Sequence, residues 1–466
     1  MRSLFQVKFN WVIFLALAIP IRFVFMNIPW YSYLALMISL FQFTLLFNSM
    51  GSIVPVRYIL GSFMCLQFYV GPTFAYAGLD KFQRGFLKMQ IPESEYFSYA
   101  LPAVICFIIG LHLRAKDLEG EKLNLVGIKA FVKKNPQLAY WFIGIGFSAS
   151  FLSTFFGAAF AFVFALLANL KFVGAFMLIL GGQKIRLVVM ALVFGSIVLS
   201  SFAKAMFHDL LTWAIFIGAI FSIKYKPSTR TKAIFTAFFV LAALTIQLLK
   251  GGYRQATWSE GQEAGLETLQ KTIEEEEQKR GSFFNTEKLG ASNVRINQGF
   301  IITNIMKTVP DRVPHARGEQ LMQILEAAFM PRLLAPNKLN AGDKQIFTKY
   351  SGMPLARGTS MGLSAVGDGY INFGKFGGCI FMLMLGLLYS ETLKIFYRYS
   401  KYYPGLLLFM GIVFYYPIRP DCELQTALGH LVKASFLLFM MIQIWKSVFY
   451  VRPAIPQPEI RTDTRS

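Results

Sequence analysis

Six cations stand among prolines and glycines in one polar stretch of the chain. They are Arg295, Arg312, Arg317, Arg332, Lys338 and Arg357, within NVRINQGFIITNIMKTVPDRVPHARGEQ, FMPRLLAPNKLNAGD and MPLARGTS. A guanidinium is a planar fork of five donors that stays charged at neutral pH, so it recognises phosphate in a bidentate manner. Several held together suit a diphosphate. Just before them, LLKGGYRQATW sets Lys250 and Arg254 four apart, on one face of any helix that continues through both. Snorkelling toward lipid headgroups is the other use of such a pair. Lys204 in SFAKAMFHDL, with His208 one turn on, and Arg22, two residues after Pro20, add cations elsewhere. Arg419 in YYPIRPDCELQ does too, with Asp421 near enough to pair with it. The stretch 251–368 holds 14 Lys and Arg against 13 Asp and Glu, so its own acids compete for these groups.

Other chemistries lack their spacing. His112, His208, His315 and His430 form no HxxxH or HxxEH pattern, which argues against a zinc site. Cys65, Cys106, Cys379 and Cys422 suggest neither a disulfide framework nor a thiolate metal site. No GxxxxGK[ST] is present. In GDGYINFGKFGG the glycines fall at 367, 369, 374, 377 and 378, which does not fit GxGxxG, and no strand precedes them. Gly374 and Gly378 read instead as a GxxxG face for close helix approach, and Tyr370 and Phe373 suit an interfacial aromatic belt.

The elements that must position these residues follow from composition. Of 466 residues, 55% are hydrophobic and 15% charged, too apolar for a water-soluble shell. Apolar runs near the length of a bilayer crossing recur at 11–27, 30–48, 55–76, 95–111, 139–157, 159–181, 186–203, 209–223, 232–250, 369–393, 403–418 and 430–449. They predict an all-α polytopic membrane protein of about 12 transmembrane helices. The division of 139–181 into two spans rests on its being about twice a crossing length. The N-terminus, MRSLFQVKFNWVIFLALAIP, reads as an uncleaved first span.

The net charge of +21 sits between the runs, where it sets topology rather than binding nucleic acid. Placing both termini in the cytoplasm makes five inner segments basic. They are 112–138, Lys184/Arg186, 224–232, 394–402 and the tail with Lys446 and Arg452. The domains expected are then a bundle of nine spans (1–250), a large and mostly helical outer-face loop (251–368), three further spans (369–450) and a cytoplasmic tail (451–466). In that loop ETLQKTIEEEEQKRG pairs Glu267 with Lys271 and Glu275 with Lys279, the i,i+4 spacing of an exposed helix.

The stretches MQIPESEYFSYALPA, LLKGGYRQATW, RINQGFIITNIMKTVP, RGEQLMQILEAAFMPRLLAPNK, GDGYINFGKFGG and RPDCELQTAL resemble the O-antigen, or oligosaccharide repeat-unit, polymerases of the Wzy type. The resemblance implies a GT-C-like membrane glycosyltransferase of the bacterial inner membrane, with its large loop in the periplasm. Such an enzyme moves a growing glycan from undecaprenyl pyrophosphate onto an incoming lipid-linked repeat unit, without cofactor, metal or nucleic acid. A chain-length regulator is an expected protein partner. Carried onto this sequence, the resemblance assigns diphosphate contacts to Arg254, Arg332 and Arg357, with Lys250, Arg295, Arg317, Arg419 and Lys204 behind them. Asp368 would orient or deprotonate the acceptor hydroxyl, although relatives have glutamate where Asp368 stands, and His315 is the alternative base. A ligase using the same donor, or a glycan transporter, is the competing expectation. The absence of an internal repeat speaks against the transporter.

Overall fold

The computed structural model describes residues 9–113, 124–156, 161–182, 187–259, 263, 265–280, 286–330, 338–339, 342–355 and 361–452. Among the described residues the chain is all-helical, and a helix overlies each of the twelve apolar runs. Six helices are long and apolar enough to cross a membrane: Trp30–Ser49, Glu93–His112, Phe162–Leu180, Thr229–Thr257, Ser364–Tyr399 and Leu424–Ile444. Trp11–Val24, Leu138–Leu152, Leu187–Ala203 and Pro404–Val413 are apolar but shorter.

The run 403–418 departs from a regular span. It forms a six-residue 3₁₀ helix, Pro404–Phe409, then one α-helical turn, Met410–Val413, then turns. Its path still runs from one face of the bundle to the other. Segment 375–399 and the Leu424–Ile444 helix both start at one face, where Asp368 and Glu423 line a common cleft. Both finish at the opposite face, where Val451 N–H bonds the Tyr402 carbonyl at 2.9 Å. Residues 403–423 must therefore return between them. Irregular backbone survives at such depth only inside protein, and residues 403–415 are all buried.

Contacts between distant segments sort the loops onto these two faces. Lys232 Nζ donates to the Met50 carbonyl, Tyr397 Oη reaches the Val54 carbonyl at 3.5 Å, and Lys134 Nζ donates to the carbonyls of Ser447 and Tyr450. That face carries the basic segments 224–232 and 394–402. At the other face Ser32 bonds Glu93, and segment 77–92 receives the inserted helices. Gln90 N–H reaches Thr303 Oγ1 at 3.1 Å, and Asn304 Nδ2 reaches the Phe86 carbonyl at 2.9 Å.

The inserted helices are Leu266–Arg280, Thr286–Ile296, Gly299–Thr308, Glu319–Phe329 and Lys344–Ser351. They lock onto the end of the helical stretch 56–76 through backbone-level contacts. Asn293 Nδ2 donates to the Gly71 carbonyl at 2.9 Å and Gln298 N–H to the Gln67 carbonyl at 3.0 Å. The bordering helices overrun the expected limits of the insertion, since Thr229–Arg254 passes residue 250 and Ser364–Tyr399 begins before 369.

Candidate functional site

The site is shaped by a reversal at Gly374. Its φ of 66° and ψ of −164° break the helix, a conformation that glycine adopts without a Cβ clash. In an unbroken helix Gly369 and Gly378 would stand about 13 Å apart along the axis. Here a Cβ at Gly378 would lie 3.1 Å from the carbonyl carbon of Gly369. Segment 364–373 thus folds back on 375–399, and Tyr99 Oη ties it down by donating to the Val366 carbonyl at 2.6 Å. The expected Gly374–Gly378 face is replaced by two other pairs. Gly369 meets Gly378 across the bend, and Gly110 meets Gly386 where Glu93–His112 crosses the long helix.

The folded-back segment carries Asp368, which is 3% exposed. Gln320 Nε2 donates to Asp368 Oδ1 at 2.7 Å, and Gln320 Oε1 accepts from Asn372 Nδ2 at 2.5 Å. Asn372 Nδ2 also reaches the Asp368 carbonyl at 2.8 Å, while Asn372 Oδ1 accepts from Leu321 N–H at 3.1 Å. That last bond satisfies one of the orphan donors at the start of Glu319–Phe329. Helix start, amide pair and carboxylate thus form one closed network. Such networks hold buried polar groups in a single geometry.

Asp368 forms part of the wall of an open cleft of about 360 Å³, a volume that includes its solvent mouth. Asp343, Glu423 and Gln425 supply other polar groups, and Phe347 and Met361 belong to its apolar lining. Asp343 caps Lys344–Ser351 through Gln345 N–H at 2.9 Å and Ile346 N–H at 3.2 Å. Both oxygens of Glu423 accept from Gly342 N–H, at 3.0 and 2.9 Å. Burial pushes the Glu423 carboxyl above its ordinary range, outweighing the Gly342 hydrogen bond that lowers it. No cation belongs to the described lining, so the cleft suits a hydroxyl-rich group and repels a diphosphate.

The expected cations are placed elsewhere. Thr229–Arg254 does continue through Lys250 and Arg254, and Arg254 Nε donates to the Ala205 carbonyl at 2.9 Å, beside the exposed Lys204. Arg419 is mostly buried, 3.8 Å from Asp421 and with its guanidinium 5.5 Å from the centre of the Tyr416 ring. His315 bonds elsewhere, Nδ1 to the Tyr370 carbonyl at 3.1 Å, and it packs against the Gly374 bend. Arg317 is exposed at a left-handed turn (φ 48°) before Glu319–Phe329, and Lys338 Nζ donates to the Ala327 and Met330 carbonyls at the other end of that helix. Arg332 and Arg357 lie outside the described residues, as does the side chain of Arg295.

Sequence reasoning missed Gln320, Asn372 and Glu423. Asn372 stands four after Asp368, one helical turn away, and that spacing was the available signal. Gln320 and Glu423 are 48 and 55 residues distant from Asp368, and only packing brings them in.

Fold and site together define an all-helical membrane protein in which inserted helices close an acidic cleft over the end of the bundle. Residues 21–416 match the family described as Domain of unknown function (DUF8712), and the chain belongs to it. No curated protein and no solved structure matches the chain.

Proposed function

We propose that the protein is a membrane glycosyltransferase that polymerises undecaprenyl-pyrophosphate-linked oligosaccharide repeat units on the periplasmic face of the bacterial inner membrane. The observation that carries this reading is the separation of charge at one end of the bundle. An acidic, partly apolar cleft suits the hydroxyl-bearing acceptor glycan, and the cations Lys204, Arg254 and Arg419 lie outside it, where a lipid diphosphate would be held. Transfer requires an acceptor hydroxyl to attack the anomeric carbon while the diphosphate leaves. Fixed positive charge aimed at the leaving group is the main source of rate in such a reaction. Asp368, locked by Gln320, orients the acceptor. The basic face with Lys134, Lys224, Lys232 and Lys394 is the cytoplasmic one in this reading, which leaves the inserted helices outside.

Deleting the gene and separating the surface glycan on a gel tests the reading. Single repeat units on the glycan anchor are expected. Complete loss of attached glycan would indicate a ligase, and an unchanged ladder would refute the proposal. Arg254→Ala, Arg332→Ala and Asp368→Asn, each with expression retained, should reproduce the deletion.

A further inference from the structure

Lys204 and Arg254, set above against the lipid diphosphate, meet at the turn that joins Leu187–Ala203 to His208–Tyr225. Ala205 is 1% exposed and holds a left-handed φ of 50°, which a residue with a Cβ adopts only under strain. Two bonds close the turn. Ala205 N–H bonds the Phe202 carbonyl at 3.0 Å, and Met206 N–H bonds that of Ser201 at 3.0 Å. This is a helix-terminating motif in which glycine is usual. Backbone strain of this kind persists where surrounding structure imposes it, and here Arg254 clamps the Ala205 carbonyl.

Cations from three other elements gather on this turn. Lys204 is exposed, and its charge is close enough to act on that of Lys171. Lys171 lies inside an apolar helix, with Nζ 5.2 Å from the Phe147 ring centre, 5.6 Å from that of Phe172 and 3.4 Å from Ser150 Oγ. A lysine kept in such surroundings signals function more often than packing. Arg254 stands beside Lys204, and the charge of Arg419 reaches the turn through Asp209. Asp209 is occupied by His208 Nε2 at 2.6 Å and by the Tyr415 hydroxyl. A neutral His208 that donates Nε2–H to Asp209 carries its lone pair on Nδ1, and no described residue engages that nitrogen.

We infer that the turn Lys204–Asp209 binds a phosphate-bearing headgroup against Lys204, Lys171 and Arg254, with His208 Nδ1 as the proton acceptor beside it and Asp209 as its positioning residue. The proposal rests on the glycosyl-transfer reading above, which already sets Lys204 and Arg254 against the diphosphate, and adds Lys171 to that site, His208 as proton acceptor and Asp209 behind it. In that reaction the acceptor hydroxyl gives its proton to Nδ1 as its oxygen bonds the anomeric carbon. The bond from that carbon to the diphosphate oxygen breaks, and its electron pair leaves on the diphosphate, where the cations hold it. His208 then returns the proton to water. Segment 419–423 links the two places: the charge of Arg419 acts on Asp209, and Glu423 lines the acidic cleft. A glycan gripped in the cleft can therefore present its end at the turn.

The full chain in detergent micelles, titrated with farnesyl diphosphate and with inorganic pyrophosphate, tests the anion site. Lys204→Ala and Lys171→Met should each raise Kd at least fivefold, while His208→Gln should leave it within twofold. Binding of farnesyl diphosphate alone marks a lipid headgroup as the source of the phosphate, and binding of both probes marks free phosphate as competent too. No binding by the wild type, or an unchanged Kd in both lysine variants, overturns the site. For His208, both His208→Gln and His208→Ala, with expression and thermal midpoint retained, should cut the long-glycan ladder at least tenfold. Asp209→Asn should do so with Kd unchanged. A normal ladder in both His208 variants overturns that role. If gene deletion leaves the ladder intact, the polymerase reading fails while the binding measurements still decide the anion site.

Discussion

Gly369 and Gly378 touch, although eight residues of nominally continuous helix lie between them. The contact exists because Gly374 turns the chain at a φ of 66°, and it puts Asp368 beside Gln320 rather than at the end of an extended rod.

Substituting Gly374 by alanine should therefore destabilise the fold by about 1–3 kcal/mol, because a φ of 66° with a ψ of −164° is a region essentially reserved for glycine. Gly374→Asn should cost as much, because asparagine tolerates the left-handed helical region and not this one. Gly378→Leu should cost about 1–3 kcal/mol by overpacking against Tyr99 and Gly369. Thermal unfolding in detergent reads all three, and an unchanged midpoint in Gly378→Leu would contradict the reversal.

The crossing of Glu93–His112 with the long helix depends on Gly110 and Gly386, where any Cβ runs into the opposing carbonyls of Leu383 and Phe107. Gly110→Leu should separate these helices and lower the yield of folded protein, because rigid backbone stands in the way. Gly195→Ala is the control. Nothing lies within 4 Å of its Cβ position, and a change between neutral and about 1 kcal/mol stabilising is expected.

Replacing Gln320 by leucine leaves the Asp368 carboxyl and the Asn372 amide without their partner inside the protein. A loss of about 1–3 kcal/mol is expected. The double variant Gln320→Leu/Asp368→Leu should recover part of it. Additive losses in that cycle would show that the two side chains are not coupled.

Glu423 gives the stability a pH dependence of known sign. Its folded carboxyl binds a proton more tightly than the unfolded one, whose ordinary value is 4.5. Between the two values the folded state holds more protons, so stability falls as pH rises. The contribution is whole below about pH 4.5 and is lost as pH passes the folded value. Glu423→Gln should therefore gain relative to wild type on going from pH 4 to pH 7, measured by chemical unfolding. A difference constant with pH would remove Glu423 from the buried wall of the cleft.

Most of the helical framework was legible in the sequence, because bilayer thickness fixes the length of an apolar run and side-chain transfer energy fixes its composition. The twelve runs coincide with helices for that reason, including the division of 139–181, whereas the continuation of Thr229–Arg254 past residue 250 was left open by the sequence. The run 403–418 was misjudged as a regular span because hydropathy reports burial and not hydrogen bonding, and protein buries it as well as lipid would. Asp368 was visible as the acid ahead of an apolar run, and its role came from the family resemblance. Its partners were not, since Gln320, Glu423 and Asp343 approach it only through packing of segments far apart in the chain. Nor could spacing show that Lys171, Lys204, Arg254, His208 and Arg419 share one turn. Local pattern determines what each segment of this chain buries; which buried faces meet is decided by close packing in three dimensions, where glycines at 369, 374 and 378 let backbones touch.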